Sequence, residues 1–352
     1  MADQTSIQWA NSTSNPTMGC DGCELYPTTA QVRQAFLHAI YPASPAPLAI
    51  VDLIDSFTDG GPQAAKLQLK ASASIIASAV ILRGHELPHR ELVRHIVAQV
   101  SARYICYASS LHRGFNSRGG NSGYAFPFEV PKLFPGRTGR SAALPAPSER
   151  EIADKPWLAG YPRLIFLSDM SDALSRSVPF EFLQQEIIQP VSSPQGQRHY
   201  WLWLSKRPGR MAKFSSWLNS QGIAWPDHLI AMTSVTGPEN LARVEQLKMV
   251  RAKYRGLSVE PLQSEVHLPL SGIDWVIVGG QSGPYSRTFD LGWAETIHRD
   301  CQAAGAAFFL KQFGRLPVYR GVDLHLQDSH GGDWSEWEPR FRVRELPKEW
   351  KT

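Results

Sequence analysis

Apolar positions along the chain follow two different rhythms. Between Thr29 and Tyr104 they return at helical spacing, first as Val32, Phe36 and Ile40 and later as Leu92, Ile96, Val100 and Tyr104. That spacing predicts a mostly helical block. Beyond Pro162 they gather into short runs: Leu164 to Leu167, Tyr200 to Leu204, Ile230 to Met232, Tyr254 to Val259, Trp275 to Val278 and Ala307 to Leu310. Continuous apolar runs are what parallel strands covered on both faces show. Between the runs, Phe180 to Gln189, Arg210 to Asn219, Asn240 to Val250 and Trp293 to Ala304 read as helices. The alternation predicts an α/β fold with six parallel strands, either a parallel barrel or a doubly wound sheet, and periodicity does not choose between them. Two stretches lack either rhythm. The chain up to about Tyr26 is rich in Thr, Ser, Asn and Pro and reads as extended or looped, and Gly114 to Pro162 gathers Gly, Pro, Ser and Arg and reads as loops. The divisions expected are 1–28, a helical insertion over 29–104, a basic loop region over 105–162, a barrel-like core over 163–318 and an extension over 319–352.

The chain has 352 residues, 43% hydrophobic and 19% charged, which gives one large or two modest globular domains and excludes a disordered or disulfide-stapled chain. Ala71 to Leu82, the longest apolar stretch, is 12 residues long and interrupted by serines, too short for the roughly 18–20 residues of a membrane span. The start, Met1-Ala2-Asp3-Gln4-Thr5, lacks a basic segment followed by an apolar core, so a cytoplasmic location is expected. The net charge is only +4, yet residues 101–150 carry seven Lys or Arg against two acids. A second basic run, Arg198 to Lys213, is interleaved with Tyr200, Trp201 and Trp203. Basic plus aromatic residues suit a nucleic-acid surface, where cations neutralise phosphates and rings stack on bases. A solvated loop beside a core strand has the same composition.

Where the strand-like runs end, small polar or charged residues follow: Ser168-Asp169-Met170-Ser171-Asp172, Ser205-Lys206-Arg207, Thr233-Ser234, Ser258-Val259-Glu260, Gly279-Gly280-Gln281-Ser282-Gly283 and Lys311-Gln312. Parallel folds place their chemistry at this carboxyl edge. Any one of these is explained as a helix cap; six in succession favour a lined cavity. Its candidates are Asp169, Asp172, Lys206, Arg207, Ser234, Glu260, Gln281 and Lys311. The glycine run from Gly279 either makes a tight turn or lets backbone amides approach an anion or adenosyl group.

Cysteines occur at 20, 23, 106 and 301. In Cys20-Asp21-Gly22-Cys23 a glycine lets one turn aim both thiols at a single metal, and a third ligand is then required. Cys106 follows after 82 intervening residues, whereas Cys301 lies on an amphipathic helix and reads as core. Spacing alone leaves an iron–sulfur site, structural zinc and simple burial open. Zinc held by Cys20, Cys23, Cys106 and a histidine such as His112 would make a nucleic-acid-binding module without catalysis. His85 and His89 stand four apart, but Pro88 interrupts a helix there, so they read as surface or core.

Several motifs together resemble a known family. Asn15-Pro16-Thr17-Met18-Gly19-Cys20-Asp21-Gly22-Cys23-Glu24-Leu25 and Cys106-Tyr107-Ala108 look like the signature of phage-encoded three-cysteine-motif proteins of unknown function. Gly119-Gly120-Asn121, Gly123-Tyr124-Ala125, Phe128-Glu129, Ser168 to Asp172, Ser205 to Pro208, Leu257 to Pro261, Asp274 to Gly280, Lys311 to Gly314 and Ser335-Glu336-Trp337 continue it. That family resembles divergent radical S-adenosylmethionine enzymes. The resemblance implies a full or partial (β/α) barrel with a four-iron, four-sulfur cluster held by Cys20, Cys23 and Cys106 and with S-adenosylmethionine as cofactor. It further implies cofactor contacts at Gly279, Gly280, Gln281, Ser282, Ser168 and Ser234, and chemistry at Asp169, Lys206, Glu260 and Lys311. The expected partners are a nucleotide or nucleic-acid substrate, a reductant for the cluster and a second protein. The chain departs from the family in the helical block inserted between Cys23 and Cys106.

Overall fold

The computed structural model describes residues 3–23, 25–27, 29–42, 45–58, 68–84, 86–101, 106–116, 128–282 and 286–351. Tyr104, His85, Gly283 and the motifs over 117–127 lie outside them. The chain forms two compact units, one of residues 18–132 and one of residues 1–17 with 133–352.

The larger unit is built on a seven-stranded, all-parallel, curled sheet. Its strands are β1 (Ser12–Ser14), β2 (Leu164–Leu167), β3 (Tyr200–Ser205), β4 (Leu229–Ser234), β5 (Arg255–Val259), β6 (Trp275–Gly279) and β7 (Ala307–Gln312). Each strand pairs with its successor, so the order runs from β1 to β7 without the reversal a doubly wound sheet requires. This is a partial (β/α) barrel. The helices expected after β2, β3, β4 and β6 are present over 180–192, Pro208–Ser220, Ala242–Lys248 and Leu291–Ala304.

Alternate positions on each strand enter different cores. Ile165, Trp201, Trp203, Ala231, Leu257, Val276 and Leu310 join Phe214, Leu247 and Ile297 from the helices. Phe166, Leu202, Met232, Ile277 and Phe309 face the other way and pack with Trp9, Trp275 and Trp350, apart from the helices that follow the strands. The second set lines the concave face, and its indoles fill the lower part of the half-barrel. Trp201 and Trp203 are therefore core residues, fully buried, and cannot stack on bases as the basic, aromatic run suggested. Composition looks the same for a surface and for a strand with alternate faces covered; the strand's two-residue period decides it.

The seventh strand, β1, lies within the first 26 residues, where the sequence reads as extended or looped. All five residues from Asn11 to Asn15 are polar and buried, so no apolar run marks the strand. Hydrogen bonds hold it instead. Asn11 exchanges bonds with Leu164 through its backbone N–H (2.9 Å) and its Oδ1 (2.8 Å), and Ser12 Oγ accepts from Arg163 at 2.8 Å. The expected loops of 114–162 also contain helices Arg137–Ala142 and Glu149–Asp154, and the second starts with a Ser148–Glu151 capping box.

In the smaller unit, helices Thr29–Ile40, Leu48–Thr58, Leu69–Ile81 and His89–Ser101 pack around Val32, Phe36, Ile50, Ile54, Ile76, Val80, Leu92, Ile96 and Val100. The insertion is helical, as its periodicity requires. A further helix, Tyr107–Asn116, starts next to Cys106. No helix among the described residues is long and apolar enough to cross a membrane.

Candidate functional site

The cysteine loop of the smaller unit is shaped by its glycines. Gly19 adopts φ +89°, and a Cβ there would lie 2.6 Å from the carbonyl oxygen of Phe128, so only glycine lets the two segments approach. The N–H of the next residue, Cys20, donates to that same oxygen at 2.8 Å. Cys23 and Tyr26 then exchange two backbone bonds of 2.8 and 3.1 Å, closing a tight turn. The N–H of Cys106 donates to Leu25 O, inside that turn, at 3.1 Å. The fold thus returns the third cysteine to the backbone of the pair. Cys20 is buried, Cys23 and Cys106 are half-buried, and none of the three is in a disulfide. Tyr26 supports the turn by donating from its hydroxyl to Glu129 Oε1 at 2.6 Å and setting its ring edge against Phe128. His112 is fully buried with its ring against Phe128, and burial pulls its pKa below 6.5 while Glu129 pulls the other way. Among the described residues, no three His, Cys, Asp or Glu side chains stand at metal-holding spacing.

In the larger unit the two-residue period of the strands sorts the strand-end candidates. Ser168, Ser234, Ser258, Glu260, Gly279 and Lys311 continue the concave-facing positions of their strands. They form a polar layer above the apolar floor. Lys311 Nζ and Glu260 Oε1 are paired at 2.5 Å. Ser168 adopts φ +69°, strained for a residue with a side chain, and its Oγ is buried with no hydrogen-bond partner. Asp169 accepts from Asn15 Nδ2, and burial pushes its carboxyl above the usual range.

Other candidates have structural work. The Asp172 carboxylate accepts from Ser205 Oγ (2.8 Å), the Lys206 N–H (3.2 Å) and the Leu174 N–H (3.0 Å), with Arg207 Nε at 3.7 Å. It fastens the loop after β2 to the loop after β3. The amide of Gly280 donates to Gln312 O at 3.0 Å, and a Cβ on Gly280 would collide with Phe313 O. That amide is committed to a turn and is not presented to an anion. Gln281 O accepts from the Arg315 N–H at 2.9 Å, and Ser282 is half-buried beside it. Cys301 lies wholly in the helix-side core. Asn15, Thr13 and Ser258 join the site without having been singled out as candidates; the flanking asparagines Asn11 and Asn15 around a run of small polar residues were the available signal.

A family model described as a protein of unknown function, DUF5131, matches residues 99–335, about two thirds of the chain, and the chain belongs to that family. The match takes in Cys106 and the strand ends from Ser168 to Gln312, and begins after Cys20 and Cys23. No curated protein and no solved structure matches the chain.

Proposed function

With membership of that family as the premise, we propose that this protein is an iron–sulfur enzyme of the radical S-adenosylmethionine type that acts on a nucleotide. The observation that carries the reading is the bond from the Cys106 N–H to Leu25 O, which closes a gap of 82 residues onto the two-cysteine turn. Three cysteines outside any disulfide, the third tied by its backbone to the turn of the first two, have the donor chemistry of a cluster that takes three protein thiolates. Among the described residues the three cysteines do not form a metal-holding group, so the set would have to close on binding. Cys20, Cys23 and Cys106 would hold the cluster, which with S-adenosylmethionine supplies one-electron chemistry that no side chain offers. An external reductant is needed.

The protein's own share lies in the half-barrel. Its indole floor excludes water from below, and the layer above offers hydroxyls, carboxylates and a cation. Asp169 would hold a proton at its carboxyl, Ser234 would meet ribose hydroxyls, and Lys206 would attract a carboxylate. The burial of Trp201 and Trp203 removes the expected stacking surface and favours a nucleotide over a long strand. Protein purified without oxygen should be brown, with iron and sulfide in equal amounts. Alanine at Cys20, Cys23 or Cys106 should abolish the colour while Cys301→Ala keeps it. Colourless protein, or stoichiometric zinc, overturns the reading.

A further inference from the structure

We infer that Lys311 and Glu260 are a displaceable ion pair in which Lys311 binds the phosphate of a nucleotide and Glu260 neutralises it when no ligand is bound. The inference rests on the nucleotide reading above. The two residues come from the ends of β7 and β5, which are not neighbours: β6 runs between them. Their side chains still meet at 2.5 Å, because the position they cross on β6 is Gly279. A Cβ there would touch both Glu260 Cγ and Cδ, at 3.4 Å. Lys311 is also irregularly placed. Leu310 pairs with Val278 and Gln312 with Gly279, so Lys311 is the extra residue of a bulge, a device that re-aims a side chain.

The surroundings suit an anion once the carboxylate has moved. Ser258 precedes Glu260 by two residues on the same face, and Ser234 stands opposite it in register. Both are buried, at 3% and 1% exposure. A lysine point charge with hydroxyl donors on the same face of the sheet has the chemistry of a phosphate-binding set. The pair itself is only 16–17% exposed, close enough to solvent for Glu260 to swing aside. Binding then exchanges one anion for another on the same ammonium, with Glu260 as the competitor.

That competition separates this role from a purely structural ion pair. Equilibrium dialysis of the full-length protein against AMP, adenosine and inorganic phosphate should show AMP binding at least tenfold more tightly than adenosine. Lys311→Met should remove that preference, Lys311→Arg should retain it, and Glu260→Gln should strengthen AMP binding several-fold. Thermal unfolding of each variant confirms that it is folded. Equal affinity for AMP and adenosine, no detectable AMP binding, or weakening by Glu260→Gln overturns the inference. Phosphate competing with AMP supports recognition of the phosphate itself; failure to compete counts against it. The assay needs no cluster, so AMP preference in iron-free protein supports the inference whichever way the test for the cluster comes out.

Discussion

Asn15 reaches Asp169 across 154 positions of sequence and donates to its carboxylate from Nδ2 at 2.5 Å. Its Oδ1 accepts the Met170 N–H at 3.0 Å, and its backbone carbonyl accepts from Arg137 at 3.2 Å. One side chain therefore fixes both the end of β1 and the loop after β2. Asn15→Ala leaves the buried Met170 amide without this acceptor and should cost about 2 kcal/mol, read as a lower urea midpoint. Asn15→Asp sets a second carboxylate against Asp169 and should cost more. A loss below about 0.5 kcal/mol for both would show the contact to be incidental.

Three histidines, two buried and one half-buried, give stability a pH dependence. Burial pulls His112, His199 and His228 below the ordinary 6.5, and the Nε2 of His199 and His228 donates to Ala142 O and Val191 O. Between each lowered value and 6.5 the unfolded chain binds more protons than the folded one, so stability falls as pH falls through that window. Melting temperature should drop from pH 7 to 5, and His199→Gln should flatten the slope. Asp169 and Asp274, pushed upward by burial, act in the opposite direction. A slope unchanged by His199→Gln would remove that histidine from the account.

Adjacent glycines should behave differently. A Cβ on Gly280 would lie 2.1 Å from Phe313 O, whereas the nearest atoms to one on Gly279 are at 3.4 Å. Gly280→Ala should cost about 3 kcal/mol or prevent folding, and Gly279→Ala about 1 kcal/mol, measured by urea unfolding. Equal effects would mean that the turn after β6 yields easily.

Thiol reactivity should divide the four cysteines. Burial pushes the Cys301 thiol up to about 12, keeping it protonated and inaccessible, while Cys23 and Cys106 are half-exposed. In iron-free native protein a disulfide reagent should label Cys23 and Cys106 first and reach Cys301 only after denaturation. Early labelling of Cys301 would contradict its place in the core.

Six of the seven strands were readable because both of their faces are covered by hydrocarbon, which writes an apolar run into the sequence. β1 was not, since Asn11 to Asn15 are buried through hydrogen bonds and carry no apolar signal. Asp169, Glu260, Lys311, Ser168 and Ser234 were legible as strand ends. That Glu260 and Lys311 touch was not, because it depends on the strand order and on a missing side chain at Gly279. Asp172 and Arg207 carry the residue types of a binding site and serve as a fastening between loops. The helix starting at Glu149 had a visible signature in Ser148 and Glu151, which the surrounding glycines and prolines obscured.

The separation of β1 from its only neighbour has a kinetic consequence. Strands β2 to β7 follow one another closely and can zip together by nearby contacts, whereas Asn11 must find Leu164 from 153 positions away. Slow closure of so long a loop makes β1 the final piece to dock on an already assembled sheet.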